Sequence, residues 1–189
     1  MSAGFATIAS AADSQSPLCA VYGLNQSAQC GWTTHGWQEL SSGPHDQAFK
    51  KNLSVALADL VSFRANCNAT GFVMVPVAIF AGGKAGLPAD WGLQLDAFEE
   101  TIAPYVRNGS ATGIFMGDEK ICGGVPHSNY TAVLAHLRAA FGKSVLLYGN
   151  ECSHTIGNGQ LPAELDLFSF DGKQRSPFVF WALSQAALE

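Results

Sequence analysis

The sequence has no apolar run approaching eighteen residues, little positive charge and no Cys-x-x-Cys pair. Each shortage excludes something. Without a long apolar run, no transmembrane helix is expected. Ten Lys and Arg against fifteen Asp and Glu give a net charge of −5, and Lys50-Lys51 is the one adjacent basic pair. A nucleic-acid partner held by phosphate neutralisation needs more positive charge, so none is expected. Gly82-Gly83-Lys84 lacks the spacing of a phosphate-binding loop and reads as a turn. Five cysteines without paired spacing argue against zinc. Charged residues are only 13% of the chain and hydrophobic ones 48%, the balance of a globular protein. Its 189 residues suffice for one domain with a sizeable core.

Glycosylation signals are abundant. Five of eight Asn residues stand in N-x-S/T: Asn25, Asn52, Asn68, Asn108 and Asn129. With 24 Ser and Thr, chance gives about one such sequon. The excess predicts a glycoprotein that is secreted or resides in the secretory lumen. Met1 to Ser16 has neither the basic n-region nor the apolar h-region of a signal peptide. The two observations together lead to the expectation that the original leader lies outside this sequence. Cys122 and Cys152 follow acidic strand ends closely enough for a bridge between neighbouring loops. A Cys19–Cys30 bridge would leave Cys67 over, and buried free thiols account for all five equally well.

Hydrophobic periodicity alternates between strand-like and helix-like stretches from Leu18 to Phe170. Leu18–Leu24 reads as a strand, Asn25–Pro44 as a loop, and Asp46–Asn66 as a helix with Phe49, Leu53, Leu57, Leu60 and Val61 on one stripe. Gly71–Phe80 reads as a buried strand, with Pro76 against unbroken pairing. After the Gly/Pro loop Ala81–Gly92, a helix carries Leu95, Phe98, Ile102 and Val106, its last turn disturbed by Pro104. Thr112–Gly117 is a strand. Ser128 caps a helix with Val133, Leu134, Leu137 and Phe141 inward, and Gly142 stops it. Ser144–Gly149 and Asp166–Phe170 are the last strands, with a helical turn expected at Leu161–Leu165. Successive βα units imply an α/β fold with a parallel sheet. Five units are countable, whereas a closed (β/α)8 barrel takes about 250 residues. The expectation is an incomplete TIM-type barrel over 17–172, with a loose segment 1–16 and an atypical tail 173–189.

Three strands run into acids: Asp118-Glu119, Asn150-Glu151 and Asp171-Gly172. Parallel strands in such repeats end on one face, so these carboxylates should converge. Paired carboxylates are what acid/base cleavage of a glycosidic bond requires. Glu119 is the expected proton donor and Glu151 its partner, with Asp118 and Asp171 tuning charge or binding hydroxyls. Asn150 and Tyr148 are expected to line the pocket. Trp32, Trp37 and Trp91 sit in polar, Gly-containing loops, where flat rings suit the C–H faces of sugars; plugging the core is the commoner fate of Trp. His127 and His154 follow acidic strand ends and join the same substrate-binding set. A divalent-metal hydrolase would need them to converge on the acids, but neither H-x-H nor H-E-x-x-H occurs. No metal or other cofactor is expected. His136, on the outer side of its helix, and His45, before a helix, read as structural.

At Gly117-Asp118-Glu119, Asn150-Glu151 and Phe168-Ser169-Phe170-Asp171-Gly172 the chain resembles TIM-barrel glycoside hydrolases, over residues 71–172 and at superfamily grade. In many of those an acid/base Glu follows strand four, often in an Asn-Glu pair. The resemblance implies that Glu119 or Glu151 holds the acid/base position on a carbohydrate substrate. It departs where the nucleophile of the Asn-Glu type would come from a strand far downstream, for which this sequence has no candidate. A noncatalytic carbohydrate-binding relative, or a truncated inactive form, is therefore the alternative expectation.

Overall fold

A computed structural model describes the continuous segment 70–171, helical residues within 53–65, and the strand backbones at 6–8, 18–21 and 35–38. Side chains are described from residue 53 onward within that set, apart from those of 156, 170 and 171. Seven strands pair in sequence order: β1 (Ala6–Ile8), β2 (Leu18–Val21), β3 (His35–Gln38), β4 (Thr70–Met74), β5 (Ala111–Asp118), β6 (Leu146–Cys152) and β7 (Leu167–Asp171). β1 is antiparallel to β2, and every later pairing is parallel. The α/β class is as expected, and β4 to β7 form its all-parallel centre.

Two helices cover that centre. In α1 (Trp91–Arg107), Leu95, Phe98 and Ile102 recur at three- and four-residue steps and are buried. In α2 (His127–Phe141), Tyr130, Val133, Leu134 and Leu137 do the same. Pro104 is carried within the last turn of α1, where its carbonyl still accepts the Asn108 amide. Earlier in the chain, Leu53, Leu57 and Leu60 are buried as the stripe predicts, but Val61 is exposed.

Local chemistry explains where the boundaries differ from expectation. β4 stops at Met74 because Pro76 cannot donate to the ladder, and Val77–Phe80 turns into a 3-10 helix instead. α2 begins at His127 after an extended Pro126, whose carbonyl accepts the Asn129 and Tyr130 amides; Ser128 is not its cap. Gly142, at φ +57, ends α2 as expected and donates to the Arg138 carbonyl. Leu161–Leu165 forms a turn closed by the Leu165 amide on the Pro162 carbonyl. β3 falls in a stretch read as loop and β1 in the segment read as loose; both are too short to show alternation.

The sheet-facing surface of α2 is anchored at one end by Arg138. Its guanidinium donates to the carbonyls of Gly142, Val145 and Glu164 and to the carboxylate of Asp166, which also accepts the Leu147 amide. That network fixes the starts of β6 and β7. On the other side of the sheet, Phe72 lies across β5 at Gly113, so closely that a Cβ there would enter its ring. Gly113→Ala is expected to lower stability by about 1–3 kcal/mol, read as a reduced urea midpoint with unchanged m-value.

Candidate functional site

Side chains alternate between the two faces of a strand. On β6, Gly149 turns toward α2, because a Cβ built there would lie 2.7 Å from the Tyr130 hydroxyl. Glu151 shares that helix-covered face, whereas Tyr148 and Asn150 belong to the other. On β5, Phe115 pairs with Tyr148 but Asp118 pairs with Asn150, so β5 carries one extra residue. This bulge returns Asp118 to the face of Phe115 and Tyr148, which a regular strand would deny it. β7 follows β6 in step, placing Leu167 and Ser169 opposite Tyr148 and Asn150.

The result is a polar row across three neighbouring strand ends. The Asn150 side-chain amide donates to Asp118, the Ser169 hydroxyl donates to the Asn150 amide oxygen, and the Tyr148 hydroxyl bonds Ser169. Once Ser169 donates to Asn150, Tyr148 is left to donate to Ser169, so each group points its proton toward Asp118. Linked bonds of this kind polarise one another. Asn150, Ser169 and Tyr148 are buried, while Asp118 reaches solvent at the open end. The Tyr148 ring is stacked on Phe115, with centroids 5.2 Å apart, and meets the edge of Phe72. An apolar floor thus holds up a polar rim.

Glu119 begins the loop beyond Asp118 and is half-buried. Its φ is +46, in the left-handed region that costs a non-glycine residue about 1–2 kcal/mol. Two short hydrogen bonds hold it there: its amide donates to the Asn150 carbonyl at 2.7 Å, and its carbonyl accepts the Gly123 amide at 2.7 Å. The loop therefore leaves the sheet in a fixed direction, strained at the residue expected to give the proton.

Glu151 has a different environment. It is 0% exposed, and its two oxygens accept the amides of Ile121 at 2.9 Å and Cys122 at 3.1 Å. Burial pushes its carboxyl up; the two amides pull it down, and the charges of Glu119 and Asp118 push it up again. Cys122 is joined to Cys152 by a disulfide, as its place after an acidic strand end suggested, with Cα atoms 5.9 Å apart. The bridge and the carboxylate pin the 119–125 loop to β6 at the same point. Beneath them the Tyr130 hydroxyl is buried and makes no hydrogen bond among the described residues; burial raises its pKa well above the ordinary value, with Glu151 and Tyr148 adding to the effect.

The remaining candidates divide. His127 is exposed and its Nδ1 lies 3.4 Å from Thr131 on the same helix. His154, in the short helix α3 (Ser153–Gly157), is exposed and meets Asn158 at 3.0 Å. Neither joins the acids; among the described residues the one His/carboxylate grouping of metal-ligating size is Asp96, Glu99 and His136. Trp91 is not in a loop: it opens α1 and packs edge-on against His136, with centroids 5.6 Å apart. Asp171 pairs in register with Cys152 at the end of β7. Its side chain, those of Trp32, Trp37, His45, Cys19, Cys30 and Cys67, the sequons at 25, 52 and 68, and the tail 173–189 lie outside the described residues. Asn108 is exposed at the end of α1 and Asn129 is half-buried in the first turn of α2.

Sequence reasoning missed Ser169 as a working member of the row and the amides of Ile121 and Cys122 as partners of Glu151. Alternation from Leu167 could have found Ser169; nothing in the residue types announces the amides. No protein-family model, curated protein or solved structure matches this chain. Among the described residues no helix is long and apolar enough to cross a membrane.

Proposed function

We propose that this chain is a carbohydrate-active protein of the (β/α) barrel type, cleaving glycosidic bonds at the β5–β7 strand ends. The reading is supported above all by the Asp118–Asn150–Ser169–Tyr148 row, which aligns a solvent-reaching carboxylate with hydroxyl and amide groups suited to sugar hydroxyls. Strand order supports the barrel class: a doubly wound sheet reverses order at a switch point, and here the order runs β2 to β7 without reversal. Glu119 is the proton donor to the leaving oxygen, oriented by its strained backbone. Asp118, fixed by the Asn150 amide, is the second carboxylate, stabilising charge that develops at the sugar ring. Glu151 is a positioning residue, since its oxygens are engaged by the loop amides. The disulfide and the sequons favour the secretory pathway as its compartment.

The burial of Glu151 also favours a second reading, a binding protein that keeps the polar row without a working acid pair. A panel of aryl glycosides and oligosaccharides separates the two. Turnover of at least one aryl glycoside supports the enzyme. Saturable oligosaccharide binding without turnover supports the binder, and the absence of both turnover and binding removes the carbohydrate reading altogether.

A further inference from the structure

We propose that Asp96, Glu99 and His136 form a site for a divalent transition-metal ion that ties α1 to α2. Asp96 and Glu99 are three residues apart on α1, hence on one face of the helix, and His136 reaches them from α2. The Nε2 atom of His136 lies 3.0 Å from an Asp96 oxygen and 3.4 Å from a Glu99 oxygen, and the three atoms all fall within 4.8 Å of one another. Ligands about 2.1 Å from a shared ion sit about 3.0 Å apart at octahedral angles and about 3.4 Å apart at tetrahedral ones. The two separations from His136 Nε2 therefore match those of ligands on one ion, and the two carboxylates lie close enough to close the group with a small side-chain adjustment.

A second observation points to a missing ligand. The Glu99 oxygen facing His136 is buried and, among the described residues, accepts no hydrogen bond; the imidazole 3.4 Å away is its one ion-pair partner there. A buried carboxylate oxygen left in that state is costly, and a cation at the centre of the three atoms relieves it. Trp91, edge-on against the His136 ring, limits the rotation of that ring and favours one nitrogen as ligand.

Donor chemistry selects the metal. One imidazole with two carboxylates suits Zn²⁺, Co²⁺, Ni²⁺ or Mn²⁺ better than Mg²⁺ or Ca²⁺, which prefer oxygen alone. The Glu99 side chain is 15% exposed, that of His136 27% and that of Asp96 61%, so the shell opens to water on the Asp96 side. Solvent completes the coordination there. The site lies on the helix layer and is independent of the carbohydrate reading.

The test is titration of the chelator-stripped full chain with ZnCl2 by calorimetry and with CoCl2 by visible absorption. Uptake of one equivalent is expected, weakened at least tenfold by His136→Ala, by Glu99→Gln and by Asp96→Asn. The His127→Ala/His154→Ala variant should bind as the parent does. Ni²⁺ should quench the fluorescence of Trp91, and Trp91→Phe should remove that component. Asp96 is the most exposed ligand, so Asp96→Asn decides the matter should either other variant fail to fold. No stoichiometric uptake, or uptake indifferent to the ligand substitutions, overturns the proposal and leaves an interhelical ion pair.

Discussion

Glu119→Gln is expected to lower kcat/KM by about 10²–10⁴-fold on glycosides with alkyl or sugar leaving groups, the range a positioned general acid supplies. The loss should depend on the leaving group. An alkoxide departs slowly without a proton, whereas an activated nitrophenolate needs none, so dinitrophenyl glycosides should lose far less. That split distinguishes a proton donor from a residue that merely shapes the loop. Glutamine keeps the size and the backbone bonds of Glu119, which do not involve its side chain. Asp118→Asn should instead impair every leaving group alike if, as proposed, it acts on the sugar ring. Equal losses across leaving groups for Glu119→Gln would remove it from the donor role.

Glu151→Ala is expected to cost about 2–5 kcal/mol of stability, because two loop amides lose their acceptor at once and each buried orphan costs about 1–3 kcal/mol. Denaturant unfolding measures it. Glu151→Gln should cost less, since one acceptor oxygen remains, but its amide group faces a second N–H donor. The pH dependence has a defined sign. The folded carboxyl is raised above its ordinary value, so the native state holds the proton more tightly than the unfolded chain. Native stability should therefore fall as pH rises from the unfolded pKa of about 4.3 through the raised folded value. Glu151→Gln removes that titration, so its deficit against the parent should shrink as pH rises through the same window. A deficit that instead grows with pH would show that the two amides outweigh desolvation.

How far the sequence could be read depended on what each inference required. Strand, helix and acid recur in the text of β5, α2 and β6 because burial and periodicity are written residue by residue, and Leu134, Leu137 and Leu147 are buried as expected. Convergence of strand ends followed from parallel pairing. Which face each acid takes did not follow. Asn150 and Glu151 were expected beyond a strand ending at Gly149; β6 instead runs on to Cys152, and alternation within it sends the two side chains to opposite faces. The extra residue in β5 is different, since nothing in Phe115-Met116-Gly117-Asp118 marks a bulge before the partner strand is known. Long-range partners were equally hidden: nothing in the sequence around Arg138 shows that it anchors the starts of β6 and β7. His136 reads as structural from its place on its helix, but its carboxylate neighbours on α1 are too far away in the sequence to be recognised as partners.

The Cys122–Cys152 bond has a topological consequence. With a separation of 30, it closes a ring that contains the whole of α2 and the inner strand β6. In the chain-entropy picture a closure of that length contributes about 3.6 kcal/mol against the reduced, open chain. A protease that nicks the backbone anywhere inside the ring leaves two fragments still covalently joined. Such a clipped molecule migrates as one species on a gel until a thiol is added, and only then parts into two.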